Sequence, residues 1–246
     1  MSNVIEFQNV TIKVDNMKFF KDLNLAIPKN KMVAIIGKSG AGKTTLINTI
    51  VRGLPITKGD IKLLNESIKC SKKKWKKLIL NVAYITQEPN LIETDSVYAN
   101  VKRSIRSYSN KFFEFFSIIT KKQQNDIYET LESLNILDKT FLRAQQLSGG
   151  EKQRVEIAKA LIQKAKVLLA DEPTSNLDFQ TAENVIKSLK EISFKFDLST
   201  IVVIHDLNLA YEYFDFFVVV NNQKISTFIK ESTSLLELKQ MVIDND

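Results

Sequence analysis

Hydrophobic and polar residues follow two different patterns along this chain of 246 residues. Near the N-terminus, Val4 to Val10 and Leu23 to Ile27 alternate apolar and polar positions, which is typical of strands with one buried face. Farther along, apolar residues form uninterrupted runs, as expected of parallel strands that are covered on both faces. These runs are Met32 to Ile36, Val167 to Ala170, Ile201 to Ile204 and Phe216 to Val220.

The middle of the chain has a helical pattern instead. Strand signals vanish in residues 89–166, where apolar residues recur every three or four positions, for example Ile127, Leu131, Leu134 and Leu137. We therefore predict one α/β domain, in which residues 1–88 and 167–246 form a doubly wound core and residues 89–166 an inserted α-helical subdomain. Ligands of such sheets bind at the carboxyl ends of the strands.

Composition narrows the class of protein. The hydrophobic content of 44% is ordinary for a globular chain, and no run of about 18 apolar residues occurs, so we expect no membrane span. The start lacks the pattern of a signal peptide, and the single cysteine, Cys70, fits a reducing compartment. We therefore expect a cytosolic protein.

The formal net charge of +7 suggests nucleic acid or an anionic membrane surface as partners. Lysine is abundant along the whole chain, however, and its densest run, Lys72 to Lys77, is typical of a solvated helix face with Trp75 packed beneath it. We therefore expect no nucleic-acid partner.

The segment from Gly37 to Thr44 fits the phosphate-binding pattern G-x-x-x-x-G-K-[S/T], and it lies between a predicted strand and a predicted helix. Glycines let the main chain wrap around an anion, and the helix directs its positive dipole end at the same place. Lys43 is expected to reach the β- and γ-phosphates of a nucleotide, and the Thr44 hydroxyl to hold Mg²⁺. The predicted phosphate-binding residues are Gly37, Lys38, Ser39, Gly40, Ala41, Gly42, Lys43, Thr44 and Thr45.

Five of the seven glycines lie in two short stretches, the phosphate loop and the segment Leu147 to Glu151, which has the sequence Leu-Ser-Gly-Gly-Glu. Ser148 is suited to cap a helix that begins near Gly150, and the N–H groups of that helix end form a second candidate anion site. Taken alone, the stretch favours an ordinary capped turn over an anion site.

Two further predicted strands end next to side chains that are suited to catalysis. The apolar strand from Val167 ends in Asp171 and Glu172, the arrangement in which an aspartate binds Mg²⁺ and a glutamate polarises an attacking water. The single histidine, His205, follows the predicted strand that ends at Ile204, on the phosphate side of the sheet.

Together these residues resemble the ATP-binding subunits of ABC transporters over nearly the whole chain. The motifs follow the family's order, which is Walker A at Gly37 to Thr44, the Q-loop at Gln87, the signature at Leu147 to Glu151, Walker B at Val167 to Glu172, the D-loop at Ser175 to Asp178 and the switch histidine His205. The resemblance implies a P-loop NTPase (RecA-like) core sheet, an N-terminal antiparallel β part and the inserted helical subdomain.

It also implies a homodimer in which two copies enclose two ATP molecules, each held by the phosphate loop of one copy and by Ser148, Gly149 and Gly150 of the other. Lys43 then neutralises phosphate charge, Glu172 deprotonates water, and His205 contacts the γ-phosphate. Gln87 lies at the join between the core and the helical subdomain, so it is expected to report the nucleotide state to a membrane permease. The magnesium ligands implied by the family are Thr44, Gln87 and Asp171.

Three positions depart from the family pattern. An aromatic residue that stacks on adenine should fall near Val14, which offers only apolar contact. Phe19 and Phe20 are nearby but fit better as core residues that flank a strand. Asn176 replaces a small apolar residue in the D-loop, and Lys38 replaces a frequent proline in the phosphate loop; neither removes a catalytic group.

Within the family, the segments around Asn90 to Glu93, Phe112 to Ile119 and Leu137 to Gly150 most resemble the ATPase subunit of phosphonate importers, and related systems have been assigned to thiamine or its phosphate esters. The resemblance therefore implies an ATPase on the cytoplasmic face of the membrane, bound to a permease and served by an extracytoplasmic substrate-binding protein. The aromatic residues of Phe112 to Ile119 either pack within the subdomain or touch the membrane or its proteins.

Three alternatives stay open from the residues. A soluble ABC ATPase acting on nucleic acid or ribosomes typically has a coiled-coil insertion or two ATPase domains, and this chain has neither. An exporter or lipoprotein-release ATPase shares the catalytic motifs, and only the phosphonate-like segments argue against it. A non-hydrolysing scaffold is disfavoured because Lys43, Asp171, Glu172 and His205 are all present.

Overall fold

The computed structural model describes residues 2–14, 17–106, 108, 113, 115, 118–221 and 223–243. Two β-sheets form its framework. The first is antiparallel with the strand order β2-β1-β4-β5, and the second has the order β10-β9-β3-β8-β7-β6. In chain order the strands are β1 (Asn3–Val14), β2 (Met17–Pro28), β3 (Met32–Ile36), β4 (Ile56–Leu63), β5 (Glu66–Ser67), β6 (Val82–Ile85), β7 (Val167–Asp171), β8 (Ser199–Val203), β9 (Phe216–Asn221) and β10 (Lys224–Ile229).

Helices connect the strands and cover the second sheet. They are α1 (Lys43–Ile50), α2 (Lys72–Ile79), α3 (Val97–Lys102), α4 (Lys121–Ser133), α5 (Gly149–Ile162), α6 (Phe179–Lys195), α7 (Leu207–Tyr213) and α8 (Leu235–Ile243). Short 3₁₀ turns lie at Leu137–Lys139, Ala144–Gln146 and Lys230–Ser232. In the described part of the chain, none of these helices is long and apolar enough to cross a membrane.

The second sheet is buried on both faces, as the continuous apolar runs predict. In β3, Met32, Ala34 and Ile36 belong to one hydrophobic cluster, together with residues of helices α3 to α8. Val33 and Ile35 point the other way, into a cluster formed with the antiparallel sheet, α1 and α2. The sheet is therefore the middle layer of the molecule.

All four predicted core strands are confirmed, and they pair in parallel as β9-β3-β8-β7, although β8 ends one residue before Ile204. The sequence interpretation missed four strands, β4, β5, β6 and β10. β6 extends the parallel sheet beside β7, and β10 pairs antiparallel at the opposite edge. These strands are short or half exposed, so their hydrophobic pattern is weak.

The described part of residues 89–166 contains helices joined by turns and loops, and its β-structure is limited to a single bridge between Ser96 and Arg143. The predicted helix around Ile127 and Leu131 is α4, but extending its pattern to Leu137 was wrong. Asn135 adopts a left-handed conformation with φ 53° after the end of α4, and Leu137 starts a 3₁₀ turn in which it is 40% exposed. A left-handed residue ends a helix whatever apolar residues follow it.

The predicted packing of Trp75 is confirmed, whereas the aromatic segment Phe112 to Ile119 is only partly described. Trp75 in α2 packs against the core as predicted, with the Arg52 guanidinium 4.2 Å from its ring centroid. In the aromatic segment, Phe112 and Phe116 lie outside the described residues. Phe115 is 83% exposed, whereas Ile119 packs against the hydrophobic core.

Candidate functional site

The phosphate loop follows the last residue of β3 and is held in a shape that only glycine permits. Gly37 approaches the carbonyl of Val220 in β9 so closely that a Cβ atom would collide with it. Gly42 has φ 104° and serves as the N-cap of α1, where no side chain occupies the first turn as a cap. The N–H groups at this helix end therefore face an anion-binding position, as the motif predicts.

Lys43 is the first residue of α1 and is only 4% exposed. Its Nζ donates to the carbonyl oxygens of Gly37 and Lys38, at 3.0 and 2.9 Å. Burial lowers the pKa of this amine, while the nearby carboxylates of Glu172 and Asp171 act in the opposite direction. The amine thus lies inside the phosphate loop, close to the acidic pair at the end of β7.

The carboxyl ends of β3, β8 and β7 meet at one edge of the sheet, because these strands are parallel neighbours. This brings Thr44 and Asp171, 127 residues apart in sequence, into a hydrogen bond of 3.1 Å in which the hydroxyl donates. Burial raises the pKa of the Asp171 carboxyl, and the Thr44 hydrogen bond partly offsets that effect. Both proposed magnesium ligands from these two elements therefore lie together.

Glu172 and His205 form a second pair at the same edge, with Glu172 Oε1 2.5 Å from His205 Nε2. Glu172 has a left-handed main chain with φ 51°, which redirects the chain after β7. The two side chains line a cleft of 270 Å³ together with the D-loop residues Ser175 and Leu177. The Glu172 side chain is 21% exposed and that of His205 is 47% exposed, so both are accessible to a ligand.

Gln87 lies just after β6, at the join that the sequence indicates, and it is exposed. Its carbonyl oxygen accepts a hydrogen bond of 3.4 Å from Gln153 Nε2 in α5. The described contact of Gln87 is thus made by its main chain to the signature helix, and its role as a metal ligand stays a prediction.

The signature segment begins α5 with a reciprocal cap. Ser148 Oγ accepts from the Glu151 N–H at 3.3 Å, and the Ser148 N–H donates to Glu151 Oε2 at 2.8 Å. A Cβ on Gly149 would lie 2.8 Å from the Leu177 side chain, and one on Gly150 would collide with Thr181. Both glycines therefore lie closely packed at the start of α5, Gly149 against the D-loop and Gly150 against α6.

Val14 ends β1, but its side chain lies outside what the structure describes. Phe20 is a core residue, 1% exposed, as the sequence interpretation expected. Phe19 is partly buried and packs against the core as well, and its ring lies so close to Gly42 that a Cβ there would collide with it. The two rings meet edge to face at 5.2 Å.

The residues present fit a nucleotide with Mg²⁺. In the described part of the chain no group of three acidic, cysteine or histidine residues forms a closed metal site. Mg²⁺ characteristically takes only one or two protein oxygens and completes its shell with phosphate and water, and Thr44 with Asp171 offers that donor set. A basic, glycine-lined helix end beside two oxygen donors therefore suits a magnesium nucleotide.

Comparison with known proteins agrees with this geometry. The ABC transporter family model matches residues 20–175. The probable ABC transporter ATP-binding protein p29 of Mesomycoplasma hyorhinis is 34% identical over 99% of this chain and 98% of its own length. The phosphonates import ATP-binding protein PhnC of Lactobacillus delbrueckii subsp. bulgaricus is 39% identical over 85% of this chain and 83% of its own length.

Solved structures show the same fold. The cbiO1 protein of Clostridium perfringens, part of the ABC transporter complex cbiONQ, has a TM-score of 0.83 at 24% identity, covering 99% of this chain and 94% of that one. A dimeric ATP-binding cassette bound to ADP and phosphate after hydrolysis has a TM-score of 0.77 at 26% identity, covering 93% and 100%. The chain therefore belongs to the ABC transporter family of ATP-binding proteins and is the ATPase of a transporter.

Proposed function

We propose that this ATPase is the motor subunit of an importer, driving uptake of a small solute such as a phosphonate, thiamine or a thiamine phosphate ester through a partner permease. The observation that carries the proposal is the single sheet edge at which Lys43, the Thr44–Asp171 pair and the Glu172–His205 pair converge. This edge combines the charge, the metal donors and the base that phosphoryl transfer to water requires.

Lys43, Glu172 and His205 have distinct roles in the proposed mechanism. Lys43 turns from the loop carbonyls to the β- and γ-phosphates and neutralises charge that develops there. Glu172 orients a water molecule and accepts its proton, and His205, 2.5 Å from that carboxylate, holds it in place and contacts the γ-phosphate. Bound Mg²⁺, held by Thr44 and Asp171 with Gln87, supplies further positive charge at the phosphates.

Two copies are proposed to enclose two ATP molecules. The signature residues Ser148, Gly149 and Gly150 lie at the N-terminal end of α5, which suits them to bind the γ-phosphate of a nucleotide held by the other copy. The two phosphate-binding elements of one chain would then act on two different nucleotides. The dimeric ADP-bound cassette that resembles this chain supports the arrangement.

Residues 89–166 are proposed as the helical subdomain that grips a permease, with residues 1–88 and 167–246 as the nucleotide-binding core. The chain is then a peripheral protein on the cytoplasmic face of the membrane. The resemblance to phosphonate-import ATP-binding proteins, 39% identity over 85% of the chain, supports import of a related solute. An extracytoplasmic binding protein would deliver that solute.

Phe19 is proposed to stack on the adenine ring of ATP, a contact that Val14 does not provide. Its ring borders the phosphate-loop helix at Gly42 and is only partly buried, so a purine or ribose bound beside the loop would contact its exposed part. We expect Phe19→Ala to raise the KM for ATP about tenfold with little change in kcat, the size of one lost stacking contact. Phe194→Ala, which removes a ring that is 89% exposed elsewhere, is the control. An unchanged KM in steady-state ATPase assays would show that the base binds without Phe19.

The import proposal is tested in proteoliposomes that contain the chain with its permease, isolated together in detergent from the source cells. We expect ATP to drive a radiolabelled phosphonate or thiamine phosphate toward the compartment that holds ATP, and the binding protein to stimulate hydrolysis several-fold. Movement away from that compartment would identify an exporter. Stimulation by RNA or ribosomes, with no solute movement, would identify a soluble ATPase instead.

A further inference from the structure

The loop of residues 87–93, which follows β6, is held against one face of α5. At the ends of the loop, Gln153 Nε2 donates to the Gln87 carbonyl at 3.4 Å, and Lys152 Nζ donates to the Glu93 carboxylate at 3.0 Å. Helix residues three and four apart share a face, so positions 152, 156 and 159 form a continuous stripe along the loop.

The centre of this contact is an ion pair with a buried carboxylate and a lysine whose side chain is 22% exposed. Glu156 is 5% exposed, and its Oε1 accepts from Lys159 Nζ at 2.7 Å. Lys159 Nζ also donates to the Asn90 carbonyl at 2.8 Å, and the Asn90 main chain lowers the pKa of the Glu156 carboxyl. The ion pair on α5 thus binds the loop through Lys159, with Glu156 holding that lysine from the helix side.

The contribution of this ion pair to folding stability does not by itself explain its presence. Burial raises the pKa of Glu156, against the opposing effects of Lys159 and Asn90, which reflects the desolvation of the carboxylate. Buried ion pairs are often replaced by apolar residues with no loss of stability, because desolvation offsets their attraction. The exposed Asn90 would find water for its main-chain groups without the pair. What the pair adds is a fixed position for the loop.

Near Gln87, the contact between the loop and α5 leaves one buried polar atom without a partner in the described part of the chain. The Gln153 side chain is 3% exposed, and its Oε1 has no hydrogen-bond partner within the described residues. A buried amide oxygen without a donor is rare and destabilising. Glu156 and Lys159 are therefore the firm part of the attachment, and Gln153 is the part that is left to adjust.

We propose that Glu156 and Lys159 are positioning residues that make the loop of residues 87–93 and helix α5 move as one body. Gln87 on the loop and the anion site at Ser148 then respond together when a nucleotide binds. The second statement rests on the proposed roles of Gln87 and the signature segment. The attachment itself rests only on the contacts described above.

Hydrogen exchange of the purified full chain, followed by mass spectrometry, tests the attachment without any ATPase assay. We expect Lys159→Met and the double variant Glu156→Met/Lys159→Met to speed exchange in residues 87–93 by about tenfold, since a charged hydrogen bond to the loop is lost. Only the single variant, which leaves a buried carboxylate unpaired, should lower the unfolding temperature markedly. If the double variant regains both stability and slow exchange, the pair is merely structural and the proposal is overturned.

Lys190→Met is the matched control, because it breaks the partly buried ion pair with Asp215 elsewhere in the chain. It should lower the unfolding temperature without changing exchange in residues 87–93. Steady-state kinetics supply a second measurement. In the double variant, kcat should fall about tenfold while the KM for ATP stays within about twofold of the wild-type value. The single variant Lys159→Arg keeps the positive charge and should retain the wild-type kcat. A wild-type chain that hydrolyses no ATP would refute the proposed function, while the exchange data would still decide whether the attachment exists.

Discussion

Glu172→Gln is expected to lower the kcat for ATP hydrolysis by about 10²–10⁴-fold, the usual contribution of a general base. Glutamine keeps the shape of the side chain and a carbonyl oxygen toward His205, but it cannot accept a proton from water. The left-handed main chain at this position, φ 51°, is compatible with glutamine to the same degree. Folding should therefore be unchanged, and the loss should appear in the chemical step.

The same variant should still bind ATP and dimerise, because Lys43 and the signature residues are intact. Light scattering should show a dimer of Glu172→Gln that forms with ATP and persists, whereas the wild-type dimer dissociates as ATP is consumed. Glu132→Gln removes the same charge from the exposed surface of α4 and should behave as wild type. Rapid hydrolysis by Glu172→Gln would assign the base to another residue.

Lys43→Met is expected to weaken ATP binding about a hundredfold, since charge-assisted hydrogen bonds to two phosphates are lost. Its effect on the unfolding temperature without nucleotide should be small. Removing the buried charge relieves the desolvation that lowers the pKa of Lys43, but the carbonyls of Gly37 and Lys38 lose their donor. These two effects oppose each other.

Calorimetry and thermal unfolding check this result together. Ligand at about one hundred times Kd stabilises a protein by about 2.7 kcal/mol, or roughly 5–10 °C for a chain of this length. Wild type and the surface control Lys187→Met should show that shift with ATP, and Lys43→Met should not. A full shift in Lys43→Met would mean that the nucleotide does not depend on this amine.

Some features follow from short stretches of sequence. The strand, phosphate loop and helix around Gly37 to Thr44 are local, because glycine spacing and the helix start lie within a dozen residues. The buried strands β3, β7, β8 and β9 were likewise readable, since continuous apolar runs report burial on both faces. The resemblance to ABC transporters joined these local features in one order, and the family itself is shown by the model that matches residues 20–175.

Other features depend on residues far apart in sequence. The weakly patterned strands β4 and β10 exist because partner strands pair with them. Phe19 became a candidate base contact only when folding placed it against Gly42. Local spacing carries no information about such neighbours, so propensity and periodicity gave no reason to select this ring.

The sequence by itself determined which chemical groups this protein offers to a nucleotide, because each motif encodes its own strand end, loop or helix cap. Only the tertiary structure decided how those groups are connected. One hydrogen bond joins Thr44 to Asp171, 127 residues apart in sequence. Another joins Lys159 to the carbonyl of Asn90, 69 residues apart. Contacts of that kind arise from the parallel register of β3, β8 and β7 and the packing of α5, which no local pattern specifies.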